Sequence, residues 1–124
     1  MTGVFGIGID AVEIERFRAM LARRPSAAER LFTDGELAYG RRWHDPAPSL
    51  AARFAAKEAV MKALGVGLWA FAFHDVEVVS ASSGAPSLVL RGAAQSLADG
   101  LGVTSWRLSL THTDSVAQAV AVAL

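Results

Sequence analysis

The 124-residue sequence contains no cysteine. A disulfide framework, a thiolate zinc site and a thiol nucleophile are therefore excluded, and a reducing, cytoplasmic setting is expected. Net charge is also missing, since 12 Lys and Arg balance 12 Asp and Glu. No overall basic field exists to draw the chain onto nucleic acid, so any cationic site must be local. No run of about twenty apolar residues occurs, and the start from Met1 to Gly6 has no charged residue ahead of an apolar stretch, so no membrane association is expected. Internal repeats and low-complexity tracts are absent too, apart from an excess of Ala and Arg. What the chain does have is apolar residues, at 52%. That excludes a disordered segment and predicts one domain over residues 1–124, with enough apolar surface left outside to favour a partner subunit.

The apolar pattern predicts a strand over residues 4–9 ending at Asp10, with glycines that let another backbone come close. Ile14, Phe17 and Leu21 then recur at helical spacing until Pro25, with Arg16 and Arg23 on the opposite side. Thr33 followed by Glu36 has the spacing of a reciprocal helix cap and predicts a second helix to about Trp43. The stretch from His44 to Ser49, with Pro46 and Pro48, reads as a turn. A third helix is predicted from about Leu50 to Leu64, closed by Gly65. A hairpin from Val76 to Leu90, a short Ala-rich helix over residues 93–98 and a second hairpin from Trp106 to Val122 follow. The order implies an α+β fold, a single small domain with a largely antiparallel sheet and a central helix.

The third helix is apolar nearly all round, yet it carries Arg53, Lys57, Glu58 and Lys62. Two readings stand side by side. Long cationic side chains can reach solvent while Glu58 and Lys62 form an ordinary i,i+4 pair. Alternatively, a carboxylate among cations on a rigid helix can hold a divalent metal and the phosphates that share it. Asp10 could supply a second carboxylate, or it could cap a helix start. His112, among Ser109, Thr111 and Thr113, fits a hydrogen-bonding role or a phosphate contact. Gly6 and Gly8 do not make a dinucleotide fingerprint, because the third glycine and the βαβ unit are missing, and there is no Gly-Lys-Ser/Thr phosphate loop. His44 and His74 receive no role.

Three blocks taken in order, GIGIDAVEIERF (residues 6–17), ARFAAKEAVMKALGVG (52–67) and LSLTHTDSVAQAVAV (108–122), resemble the holo-acyl-carrier-protein synthase family, the small trimeric class of 4′-phosphopantetheinyl transferases. The segment LFTDGEL (31–37) resembles the family's second helix start, and residues 84–86 sit where its hairpin turn does. The resemblance implies transfer of 4′-phosphopantetheine from coenzyme A to a serine of an apo acyl carrier protein, with magnesium and with release of adenosine 3′,5′-bisphosphate. It implies that Asp10 and Glu58 bind the metal, that Lys62 contacts the phosphates, and that Glu58 or a metal-bound water takes the serine proton. Arg53, Lys62, Gly65, Ser109, Thr111 and His112 match positions lining the coenzyme A site, some of them from a neighbouring subunit of a homotrimer. Arg16, Arg23 and Arg24 would form the basic face that docks the carrier. On this reading neutral charge conceals two cationic sites, one at Arg16, Arg23 and Arg24, the other at Arg53, Lys57 and Lys62. The chain departs from the family pattern at Val66, at Val116 and in the apolar segment LWAFAF (68–73). The resemblance leaves open whether the carrier serves fatty-acid, polyketide or peptide synthesis.

Overall fold

Gly6 and Gly8 let a strand lie directly on a helix. A Cβ added at Gly8 would fall 1.8 Å from the Ala59 carbonyl oxygen, and one at Gly6 1.9 Å from that of Ala63. Only glycine permits this approach. The computed structural model describes residues 3–124, and Met1 and Thr2 lie outside the described residues. The strand is β1 (Gly6–Glu13) and the helix is α4 (Ala47–Leu64). Between them run α1 (Ile14–Arg23), α2 (Ser26–Leu31) and α3 (Asp34–Gly40). After α4 come a 3-10 turn (Phe73–Asp75), the hairpin β2 (Val76–Ser80) and β3 (Pro86–Leu90), α5 (Gly92–Gly100), then β4 (Trp106–His112) and β5 (Val116–Ala123).

The strands form two antiparallel sheets, β1-β5-β4 and β2-β3. In the first, Ile9 pairs with Val120 and Val120 with Ser109, while Ile7 pairs with Val122 and Val122 with Arg107. Because side chains alternate, Ala117, Ala119, Ala121 and Ala123 all point inward and are buried. Ile7 and Ile9 point the other way and are 64% and 60% exposed.

Helix α4 lies at the centre, as its all-round apolar character requires. One side packs with Val76, Val78 and the inner alanines of the sheet, the other with Ile14, Phe17 and Phe32. Each large side chain enclosed in this way contributes about 1.5–3 kcal/mol. An edge-on aromatic contact joins Phe32 to Phe17 at 6.0 Å, and Phe17 meets Phe54 at 5.4 Å. Phe54 in turn stacks on Phe73 at 5.6 Å. This aromatic chain ties α1, the start of α3, α4 and the 3-10 turn together beside Glu58.

The reciprocal cap predicted at Thr33 is present. Glu36 N donates to Thr33 Oγ1 at 3.2 Å, and Thr33 N donates to Glu36 Oε1 at 2.9 Å. Three expectations change. The strand continues through Asp10 to Glu13 rather than ending at Asp10, so Asp10 caps no helix. A short helix, α2, follows Pro25, where the sequence pattern had stopped. The stretch read as a turn up to Ser49 already belongs to α4 from Ala47. Pro48 sits in its first turn, where a missing N–H costs nothing, and Ala47 N donates to Asp45 Oδ1 at 3.2 Å.

Candidate active site

Asp10 follows Gly6 and Gly8 on the face of β1 that lies against α4, so the glycines that bring strand to helix also bring its carboxylate to that helix. Lys62 Nζ donates to Asp10 Oδ1 at 3.1 Å and to the Ile9 carbonyl at 2.9 Å. Lys62 therefore pairs with the strand, not with Glu58 one turn earlier as the i,i+4 reading has it. Glu58 stands beside both. Partial burial, then the Asp10 charge, push its carboxyl above the usual range, while Lys62 pulls the other way. Two carboxylates whose charges oppose each other, with one lysine alongside, form a centre whose repulsion a divalent cation would relieve.

Glu58 opens onto two recesses that share Met20, Arg23 and Phe54. One, of about 560 Å³, reaches Asp10 and Arg16. The other, of about 620 Å³, reaches Arg24, Arg30, Leu68 and Trp69. Arg16 lies 3.7 Å from Glu13 in an exposed pair, whereas Arg23, Arg24 and Arg30 are in none of the ion pairs among the described residues. Arg30 was not singled out in the sequence. Its signal was hidden with α2, a helix too short to show a periodic stripe.

Arg53, Thr111 and His112 meet elsewhere, in a cleft of about 300 Å³ with Tyr39, Trp43 and Ser49. Glu58 is five positions after Arg53, which turns the two about 140° apart around the helix. Arg53 is 4% exposed. Its guanidinium lies 4.1 Å from the Tyr39 ring centre and donates to Ser49 Oγ at 3.2 Å and Ser80 Oγ at 2.8 Å. Burial works against its charge, and Tyr39 and Glu36 support it. Arg53 Nε finds no partner among the described residues. Gly65 caps α4 at φ 73°, with nothing within 4 Å of a Cβ placed there. Ser109 stands exposed on the outer face of the sheet, in the row with Val120 and Ile9.

Lys57 does not belong with these cations. It is fully buried, pairs with Glu36 at 2.7 Å, and donates to the carbonyls of Phe73 at 2.9 Å and Val76 at 2.5 Å. The cationic group expected at Arg53, Lys57 and Lys62 is thus three separate environments on one helix. Neither Arg53 nor Lys57 reaches solvent, so the reading in which these side chains snorkel fails for both.

A strand and a helix that present an acidic pair with a lysine, beside recesses edged by arginines, define the class of the molecule: a small α+β enzyme built to handle an anionic, phosphate-bearing group. Residues 6–122 match the model of the 4′-phosphopantetheinyl transferase superfamily. The holo-[acyl-carrier-protein] synthase of Beutenbergia cavernae is 48% identical over 122 residues, covering 97% of both chains. The crystal structure of the Neisseria meningitidis synthase superposes with a TM-score of 0.89 at 30% identity, over 98% of this chain and 99% of that one. The Helicobacter pylori synthase, solved in complex with coenzyme A, gives 0.84 at 31% identity, over 95% and 99%. The chain belongs to the 4′-phosphopantetheinyl transferase superfamily, among its holo-[acyl-carrier-protein] synthases.

Proposed function

We propose that this enzyme moves the 4′-phosphopantetheine arm of coenzyme A onto a serine hydroxyl of an apo acyl carrier protein, with magnesium, as a cytoplasmic homotrimer in which residues 1–124 act as one transferase domain. The observation that carries the reading is the meeting of Asp10, Glu58 and Lys62 across β1 and α4. Asp10 and Glu58 would hold the cation, since magnesium takes one or two carboxylates and completes its shell with substrate phosphate and water. When bound, the ion supplies charge neutralisation at the pyrophosphate. Lys62, half exposed, would contact the same phosphates.

In the transfer, the serine oxygen bonds to the phosphorus that bears the pantetheine, and the bond from that phosphorus to the oxygen bridging to the adenosine half breaks. Adenosine 3′,5′-bisphosphate leaves with the electron pair. Glu58, or a water on the cation that Asp10 and Glu58 would hold, would accept the serine proton. Arg53, Gly65, Ser109, Thr111 and His112 would position coenzyme A. The Arg53, Thr111 and His112 cleft faces away from Glu58 of the same chain, which favours a site completed by a neighbouring subunit. The outward Ile7, Ile9, Val120 and Val122 give such a neighbour an apolar sheet face to cover. Arg16, Arg23 and Arg24 would dock the acidic carrier.

The test incubates the enzyme with coenzyme A, magnesium and several apo carrier proteins, and reads their mass. Each accepted carrier should gain one pantetheinyl group only with magnesium present. Glu58→Gln should fold normally and lower the rate by about 100-fold or more. Carriers left unmodified by the wild-type enzyme, but modified by another transferase, would overturn the assignment.

A further inference from the structure

The segment LWAFAF places Trp69 almost wholly in solvent, at 98% exposure, with Leu68 beside it at 48%. An exposed tryptophan gains nothing in the isolated chain. Here it lines the 620 Å³ recess together with Arg23, Arg24, Arg30 and Glu58. The floor is apolar, from Met20, Leu31, Phe54 and Phe73. Lys57 holds the Phe73 carbonyl at 2.9 Å, and Phe73 stacks on Phe54, so the floor is fixed to the central helix. The recess thus pairs three cations free of ion pairs among the described residues with a rigid apolar floor and an exposed aromatic wall, beside Glu58 of the proposed acidic pair.

We infer that Trp69 is a carrier-specificity residue: it closes over an apolar side chain presented by an amphipathic, acidic-faced helix of the carrier protein, while Arg23, Arg24 and Arg30 meet the acidic face. The inference rests on the proposed transferase activity. Charge complementarity selects the occupant, because an apolar groove edged by arginines that have no ion pair among the described residues fits an acidic amphipathic helix better than a neutral or basic surface. Arginines alone would accept any acidic helix, and the aromatic wall adds discrimination by shape and apolarity.

Tryptophan fluorescence and steady-state kinetics test this on the full-length enzyme. Apo acyl carrier protein should shift the emission to the blue, and the shift should vanish in Trp69→Phe, which separates it from Trp43 and Trp106. In Trp69→Ser the KM for carrier should rise about tenfold, the scale of losing one aromatic anchor, with the KM for coenzyme A unchanged. Trp69→Phe should restore most of it. An emission shift that coenzyme A alone produces in the wild type and that is lost in Trp69→Phe would put the donor's arm in the recess and overturn the inference, whereas a shift retained in Trp69→Phe belongs to Trp43 in the other cleft. An emission already blue and indifferent to carrier would mean that a second copy covers Trp69, with the same result. Equal carrier KM in Trp69→Ser and wild type also overturns it. These results leave the transferase reading standing, whereas a wild-type enzyme that modifies no carrier removes that reading itself.

Discussion

Lys57 and Glu36 form an ion pair sealed from water, with Nζ 2.7 Å from Oε1 and both side chains at 0% exposure. Glu36 also accepts from Thr33 N and from Val78 N, each at 2.9 Å. One carboxylate therefore closes the cap of α3, anchors β2 and neutralises a lysine of α4. Burial lowers the Lys57 pKa and the Glu36 charge opposes that shift.

Breaking this pair from one side should be severe. Lys57→Met leaves the Glu36 carboxylate buried without its cation, and urea denaturation should show a loss of about 3–5 kcal/mol. Lys57→Met with Glu36→Gln should recover part of it, because Gln can still accept from an amide without carrying charge. A single-variant loss under about 1 kcal/mol would show that the pair is not what holds these elements together.

Gly8→Ala should both destabilise and inactivate. The added methyl would meet the Ala59 carbonyl at 1.8 Å, so β1 must lift from α4 and carry Asp10 away from Glu58. Thermal melting should fall by an amount equivalent to about 1–3 kcal/mol, and transfer should fall further than stability explains. Gly3→Ala, with nothing among the described residues within 4 Å of the added atom, is the matched control and should behave as wild type.

Glu77 makes stability depend on pH. Its carboxylate accepts from Thr33 Oγ1 at 2.6 Å and pairs with Arg91 at 2.9 Å. The Thr33 bond first, then Arg91, hold its pKa below the ordinary value against the opposing effect of burial. A carboxyl depressed in the folded state adds stability above its unfolded pKa and loses it as pH falls through the folded one. Wild type should therefore melt above Glu77→Gln at pH 7, with the gap closing in acid below about pH 4. A gap that stays constant from pH 7 into that acid range would contradict the assignment.

Subunit complementation tests the proposed sharing of the site between subunits. Glu58→Gln and His112→Ala should each be inactive alone. Co-expressed in equal amounts they should regain about a quarter of wild-type activity, because that share of randomly mixed interfaces pairs an intact Glu58 with an intact His112. No recovery in mixed oligomers would place both residues in one subunit's site.

Much of the molecule could be read along the chain. The Thr33 and Glu36 cap, the antiparallel hairpins and the all-round apolar α4 depend on neighbours within a few residues, and the structure has them where the pattern does. Helix α2 escaped because six residues after a proline carry no periodic stripe. The start of α4 escaped because Pro46 and Pro48 signal a turn and a first helical turn alike.

The sequence by itself determined the α+β element pattern, the central burial of α4 and, through its three motif blocks, the family. It also singled out Asp10, Glu58 and Lys62 as candidates, though not which of them pair. Only tertiary packing decided that Lys62 turns to Asp10, that Lys57 turns inward to Glu36, that Arg30 joins the groove and that Arg53 meets Tyr39 and Ser80. The reason is physical: backbone periodicity assigns each side chain to a face of its own element, but the charge it meets belongs to another element, set there by how closely strand and helix can approach.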